Sequence, residues 1–498
     1  MEKIAILFVA EDNSKYDFQL PAELQVTFWN EEMLESKDRF DLVILCRNVD
    51  DNEAETLMKI TRAYCLFYVD TVVLSASSRR LVKSRVGESI REDRLETFLL
   101  EEAKDYFSKS YGEKMNPVNV GVAQGFRGSV KLKGGYSVDL EGNYGHDFRQ
   151  ILFWRTNLPI EKNQALDFWL EYKKDENVDI CLEIRKIKQG SLADFTREWV
   201  FSKDDLQDEV TIENDDEPGY IFMSLKAKGN GKLSLIAFHD RQSHRGKGTF
   251  LVGGQRHVTR EREEIFSYFD PGDLKPPLAV YFSGYKTQEG FEGYNMMRKF
   301  GCPFLLIADQ RFEGGGFYMG SPDYENTMVR IIEKHMNKLG FYPDQVVLSG
   351  ISMGSTGTLY YGCDIKPKAL IMGKPLVNLG DIAKNERLKR PGGFATSLDL
   401  LNRHAGGMDQ DAIQNFNDRM WDKVKKTDFG HTKLIVSYMY EDDYDGTAYK
   451  NLLMALNSAG VQVYGKGLHG RHNDNTQGVS AWFKSQWEKV LREDFNRR

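Results

Sequence analysis

The sequence predicts a mixed α/β chain in which two segments of βα rhythm flank a segment made of strands alone. Three observations carry that reading. In residues 1–115 short apolar runs alternate with charged, helix-patterned stretches. In residues 116–245 strands follow one another with only Asp-, Asn- and Gly-rich turns between them. In residues 246–498 the βα alternation returns around a serine set between glycines. A chain of 498 residues exceeds what one hydrophobic core can organise, so each segment is expected to fold as a domain.

Composition narrows the function classes. With 41% hydrophobic and 28% charged residues the chain is of ordinary globular type, neither disordered nor fibrous. A net charge of -7 offers no general attraction to nucleic acid, because a phosphate-binding surface needs an excess of Lys and Arg. The opening apolar run, Met1 to Ala10, is too short for a secretory leader, and no stretch has the uncharged length that spans a bilayer. A cytoplasmic location is therefore expected. Cys46, Cys65, Cys181, Cys302 and Cys363 are odd in number and lack CxxC spacing, which argues against a disulfide framework or a zinc site. No metal is expected, and each cysteine reads as a small buried hydrophobe.

In the first segment Ile4 to Val9, Val26 to Trp29, Leu42 to Cys46 and Val72 to Leu74 read as strands of a flavodoxin- or Rossmann-like parallel sheet. Asn52 to Tyr64 and Glu96 to Tyr106 read as helices. The first strand runs into Glu11-Asp12-Asn13-Ser14, with no glycine pattern that would admit a phosphate at the strand end. In the second segment Ala165 to Tyr172, Asp179 to Ile184, Gly219 to Leu225 and Lys232 to Phe238 read as strands of an antiparallel β-sandwich. Trp154, Trp169 and Tyr172 could form a carbohydrate-binding platform, but aromatics on alternating strands are more often core.

The third segment is the specific one. Pro277 to Phe282 is a strand running into Ser283-Gly284-Tyr285, and Phe304 to Ala308 is a second strand. A helix follows, opened by Ser321-Pro322-Asp323, with Met328, Ile331, Ile332, Met336 and Leu339 on one face and Gly340 as terminator. Gln345 to Ser349 then leads directly into Gly350-Ile351-Ser352-Met353-Gly354. This is G-x-S-x-G, the nucleophile elbow of the α/β-hydrolase fold, where a serine sits on a strained strand-to-helix turn. In a chain with 44 glycines the pattern alone says little. The apolar strand before it and the small residues Gly354, Ser355 and Gly357 after it supply the context.

A serine nucleophile needs a base, and the base needs an acid to fix its tautomer. In this fold both follow the serine, each just after a later strand. Lys433 to Tyr440 ends in Glu441-Asp442-Asp443-Tyr444-Asp445, ahead of a helix over Ala448 to Leu456. Val461 to Tyr464 ends in Gly467-Leu468-His469-Gly470-Arg471-His472-Asn473-Asp474, before a last helix with Val479, Trp482, Phe483, Val490 and Leu491 facing inward. Placement in the final loop favours His472 over His469 as base. His335 and His431 read as packing or surface residues. Asp442 is the favoured acid because a second position after the strand gives the loop room to turn back, with Glu441 as the alternative. Asp443 and Asp445 read as solvated loop charges. The oxyanion hole should take one N–H from Met353 and another from Gly284 or Tyr285. Gly314-Gly315-Gly316 reads as a second open loop near the same edge with room to admit a bulky acceptor, or more simply as a plain flexible loop.

The order of segments, together with Ser349 to Ser355, Tyr438 to Asp445 and Gly470 to Asn475, resembles the second accessory Sec system protein of streptococci and staphylococci over the whole chain. The resemblance implies a cytoplasmic protein, membrane-associated through the export machinery, that works with two sister accessory Sec proteins and the accessory SecA motor. It implies O-acetylation of N-acetylglucosamine on a serine-rich repeat glycoprotein, with Ser352 and His472 as nucleophile and base. No tightly bound cofactor is implied, and acetyl-CoA is the acyl donor such chemistry suggests. A carbohydrate esterase and a non-catalytic export scaffold are the alternatives to this O-acetyltransferase reading.

Overall fold

The computed structural model describes residues 3–35, 39–108, 110–458 and 460–497. Met1 and Glu2, at the head of the run judged too short for a leader, lie outside them. Among the described residues no helix is long and apolar enough to cross a membrane. Three sheets organise the chain.

The first is parallel and five-stranded. Its strands Ile4–Val9, Leu24–Phe28, Leu42–Leu45, Leu66–Val69 and Glu88–Ile90 lie in the spatial order 2-1-3-4-5, the flavodoxin-like order. The helix Asp51–Ile60 starts at a reciprocal cap, with Asp50 accepting from the Glu53 N–H while the Glu53 side chain accepts from the Asp50 N–H. It stops at Thr61, and the chain turns through Tyr64 at φ 66°. The fourth strand is therefore Leu66–Val69, and the expected strand at Val72 to Leu74 is a turn in which Val73 is exposed. A helix over Ala76–Arg85 was also missed.

The second sheet is antiparallel and ten-stranded, running from Gly112 to Gln242. The two strands expected at Gly219 to Leu225 and Lys232 to Phe238 are one, Gly219–Gln242. Gly229 and Gly231 hold positive φ there, and pairing with Ser137–Trp154 slips register beside Gly229, so these glycines are bulges rather than a turn. Trp154, Trp169 and Tyr172 are all buried, so none of them forms an exposed sugar platform.

The third sheet has eight strands, Gln255–Val258, Glu264–Asp270, Leu278–Phe282, Phe304–Ala308, Val346–Ile351, Ala369–Gly373, Lys433–Met439 and Gln462–Leu468. Numbered within the sheet they lie in the order 1-2-4-3-5-6-7-8, and only the second runs against the rest. Both faces are covered, which is why strand Leu278–Phe282 is apolar throughout. Leu278, Val280 and Phe282 join the core under helices Pro322–Leu339 and Met353–Ile365. Ala279 and Tyr281 join the one under the last helix, Thr476–Phe495. Helices Leu379–Leu388, Thr396–Ala405 and Gln410–Lys426 are inserted before the seventh strand, and the sequence reading did not anticipate them.

Ion pairs join the three parts. Arg85 of the first binds Asp270 of the third at 3.0 Å. Arg241 of the second binds Glu264 and Glu289 of the third at 2.7 and 2.8 Å, and Glu209 at 2.6 Å. His239 beside it contacts Glu289 and, at 3.0 Å, Glu171. Glu171, His239 and Glu264 lie close enough together to hold a cation. Arg241 and Arg256 already occupy the oxygens of Glu264, however, and both ring nitrogens of His239 meet carboxylates, so these ligand atoms are engaged within the protein.

Candidate active site

Strand Val346–Ile351 hands over to helix Met353–Ile365 through Ser352 alone, at φ 55° and ψ -122°. L-residues rarely adopt that conformation, and here it lifts the side chain out of the turn. The flanking glycines are demanded by close backbone approach. A Cβ on Gly350 would lie 2.3 Å from the Gly354 carbonyl oxygen, and one on Gly354 would lie 2.2 Å from that of Phe282. The turn is fastened by the Ser352 N–H donating to the Gly373 carbonyl at 2.8 Å and by the Ser355 hydroxyl donating to the Ser352 carbonyl at 2.6 Å.

Ser352 Oγ lies 2.8 Å from His472 Nε2, and His472 Nδ1 lies 2.9 Å from Asp442 Oδ2. The three side chains sit at the ends of the fifth, seventh and eighth strands of one sheet, which is how residues distant in sequence come together. His472 is only 3% exposed. Its N–H donates to Asp443 Oδ1 at 3.1 Å, and its ring packs 4.5 Å from that of Tyr444. Burial works to raise the pKa of Asp442. The hydrogen bond and charge of His472, with the N–H groups of Asp445 and Tyr444, outweigh it and hold the carboxyl below its usual range. The alternatives stand elsewhere: His469 is exposed and faces Glu441 at 3.1 Å, and Glu441 also accepts from the Gly470 N–H. His335 is buried against the ring of Phe269 and His431 is exposed.

Two expectations about the acidic run are corrected. Asp445 is no solvated charge: it is 5% exposed, and its carboxylate accepts from the N–H groups of Val377 and Asn378 and from the Asn378 amide, each at 2.8 Å. Burial, with the neighbouring charge of Asp442, raises its pKa to about 6. Asp443 is also engaged, holding the His472 N–H on one oxygen and Arg390 on the other at 3.1 Å. The Arg390 guanidinium lies 3.5 Å from the centre of the Tyr444 ring. Sequence reasoning missed Arg390, because it comes from the inserted helical segment.

For the oxyanion position, Met353 and Tyr285 both line the cavity beside Ser352, whereas the Gly284 N–H donates to Glu292 Oε2 at 2.6 Å and is spent. Of the two candidates after the third strand, Tyr285 remains. Gly314-Gly315-Gly316 is not a plain flexible loop. It is buried, and Cβ atoms on Gly314 and Gly315 would meet the Tyr285 ring at 2.2 Å and the Met353 sulfur at 2.4 Å. The run packs against Tyr285 and Met353, the two candidates that line the cavity beside Ser352. The cavity measures about 340 Å³, with Tyr285, Phe317, Phe394 and Tyr444 as aromatic walls and Glu313 and Asn473 as polar ones. A larger cavity, about 610 Å³, shares no residue with it and lies between the first and second sheets. In such a constellation a hydroxyl can be deprotonated by an oriented imidazole within reach of backbone donors, which is the requirement for acyl transfer through serine.

The sequence profile of the accessory Sec system GspB-transporter family matches residues 2–497. The chain is 44% identical to an accessory Sec system protein of Streptococcus gordonii over 396 residues, which is 80% of this chain and 78% of that one. It is 37% identical to an accessory Sec system protein of Staphylococcus aureus over 469 residues, 94% of this chain and 90% of that one. Among solved structures, a chain of the Glycosylation Associate Protein (Gap123) complex from Streptococcus agalactiae is similar, with a TM-score of 0.87 at 33% identity, covering 100% of this chain and 99% of that chain. Matched over residues 2–497 by the family profile, and over 80% and 94% of its length by two relatives above 30% identity, this chain belongs to the accessory Sec system GspB-transporter family.

Proposed function

We propose that this protein is a serine-dependent O-acetyltransferase that modifies N-acetylglucosamine on a serine-rich repeat glycoprotein and also serves as a component of the accessory Sec export system. The observation that carries the catalytic half is the continuous chain of contacts from Ser352 Oγ to His472 to Asp442, at 2.8 and 2.9 Å, on a strained elbow. In the first step His472 Nε2 takes the proton as Ser352 Oγ bonds to the acyl carbonyl carbon of the donor, for which acetyl-CoA has the right chemistry. The N–H groups of Met353 and Tyr285 stabilise the oxyanion, and the leaving thiol departs with the proton. In the second, a sugar hydroxyl gives its proton to His472, takes the acyl group and frees the serine. Family membership supports the export half, with two sister accessory Sec proteins and the accessory SecA motor as cytoplasmic partners. The similar streptococcal chain is itself part of a complex.

The test has two arms. An activated acetyl ester should leave one acetyl group on Ser352, detected by peptide mass spectrometry and absent in Ser352→Ala. Adding acceptor glycan should divert the acyl group from water to sugar, whereas turnover unaffected by glycan would make the protein an esterase. In cells, Ser352→Ala should export the glycoprotein without its acetyl groups, while loss of the whole chain should stop export. No acyl-serine under any donor would reduce the protein to a scaffold.

A further inference from the structure

A cavity of about 400 Å³ opens where the first and third parts of the chain meet. Its walls carry four cations, Arg39, Arg62, Lys286 and Arg298, against one carboxylate, Asp41. Asp41 pairs with Arg62 at 3.2 Å, so the walls keep a net positive charge. Arg298 is held in place by donation from its Nη2 to the carbonyls of Lys59 and Thr61 at 2.6 and 2.8 Å, while its Nη1 is buried with no acceptor among the described residues. The Tyr294 hydroxyl, four residues earlier, is likewise buried with no hydrogen-bond partner among the described residues. Lys286 forms no ion pair among the described residues, and burial pulls its pKa below the usual lysine value. The rings of Tyr111, Phe291 and Tyr294 complete the lining.

Buried donors without an acceptor, here Arg298 Nη1 and the Tyr294 hydroxyl, cost stability unless a ligand group meets them, and the net positive charge of the walls favours an anionic one. A lone inorganic anion would leave the rings unused, and an apolar ligand would leave the cations unused. We propose that this cavity binds a nucleoside phosphate, with the base against the aromatic walls and the phosphate on Lys286 and Arg298. The volume lies within the range of small-molecule sites at domain junctions. Arg39, Phe40 and Asp41 precede the strand Leu42–Leu45, so the cavity lies at the opposite end from the carboxyl strand ends where a flavodoxin-like sheet takes its ligand. No glycine-rich phosphate loop is needed there. Tyr285, which precedes Lys286, lines the cavity at Ser352, so one loop contributes to both cavities. A free nucleotide and the nucleotide end of coenzyme A present the same chemistry, and binding of either is independent of whether Ser352 is acylated.

Calorimetric titration of the full chain with ADP, with coenzyme A and with adenosine tests it. ADP or coenzyme A should bind, and adenosine should bind at least about tenfold more weakly, because the charge-assisted contacts go with the phosphate. Lys286→Ala should weaken phosphate-bearing ligands by about tenfold or more. Arg39→Glu, at a more exposed position, is a second variant should Lys286→Ala fail to fold. Coenzyme A binding more tightly than ADP would identify the donor as the source, and equal affinity would point to a free nucleotide. Absence of binding by both, or affinities unchanged in a correctly folded variant, would overturn the proposal.

Discussion

The backbone N–H of Asp445 donates to Asp442 Oδ1 at 3.0 Å, while the Asp445 side chain reaches the opposite way to the N–H groups of Val377 and Asn378. One residue thus aims the carboxylate that aims the histidine. Removing the Asp445 carboxylate leaves buried donors without an acceptor, at about 1–3 kcal/mol each. Asp445→Ala should lower the melting temperature by several degrees and the acylation rate by roughly ten- to a hundredfold through misplacement of Asp442. Stopped-flow acylation beside a thermal melt checks it, and an unaffected rate in a destabilised protein would limit Asp445 to holding the loop.

The acids of the run should rank by their partners. Asp442→Asn should cost on the order of 10⁴ in the acylation rate, because an amide presents the wrong group to His472 Nδ1. Glu441→Gln weakens only exposed contacts, to His469 and to the Gly470 N–H, and should change the rate by no more than about twofold. Equal losses in the two variants would contradict the geometry at His472.

Arg390 reaches the site from the inserted helices and touches both Asp443 and Tyr444, the two residues that hold His472 from its backbone and its ring face. Arg390→Ala should slow acylation by about tenfold with little change in stability, and Arg390→Lys should recover only part of it, since a point charge cannot cover the ring as a planar group does. Full recovery by lysine would mean that charge alone matters.

His239 sets a pH dependence remote from the chemistry. Burial opposes its charge, but Glu289 and Glu171 prevail and raise its pKa to about 9. A raised histidine stabilises the fold in full below its unfolded value near 6.5, and that contribution is lost as pH rises through the folded value. Between those limits the loss amounts to roughly 3 kcal/mol. Urea unfolding at pH 6.5, 8 and 9.5 should show this decline in the native protein and a flatter course in His239→Gln. Parallel declines would place the titrating group elsewhere.

What the sequence revealed divides along the range of the interactions. The elbow was legible because its requirements are local: a β-branched strand, two glycines that tolerate backbone contact at either side of Ser352, and a small-residue helix start. The convergence of Ser352, Asp442 and His472 was legible for the same reason, each lying just after an apolar strand. Asp445 was misread because its partners at Val377 and Asn378 lie 68 and 67 residues away, with no pattern near Asp445 to announce them. Between Gly284 and Tyr285 the sequence left the choice open, because only the folded loop brings Glu292 onto the Gly284 N–H. In the first sheet the helix was carried past Ile60 to Tyr64, which consumed the approach to strand Leu66–Val69 and displaced the predicted strand onto Val72 to Leu74. At Gly229 and Gly231 a local turn signal lost to pairing along a 24-residue strand.

The charges on Arg241 and His239 settle how this chain can be dissected. A fragment begun after the second sheet would discard Arg241 and His239, leaving Glu264 with Arg256 alone and stranding Glu289, and a stranded carboxylate of that kind costs several kcal/mol. Such a truncation should be insoluble whatever its catalytic residues could do. The proposed division of labour between acylation and export is therefore accessible to point substitution and closed to truncation.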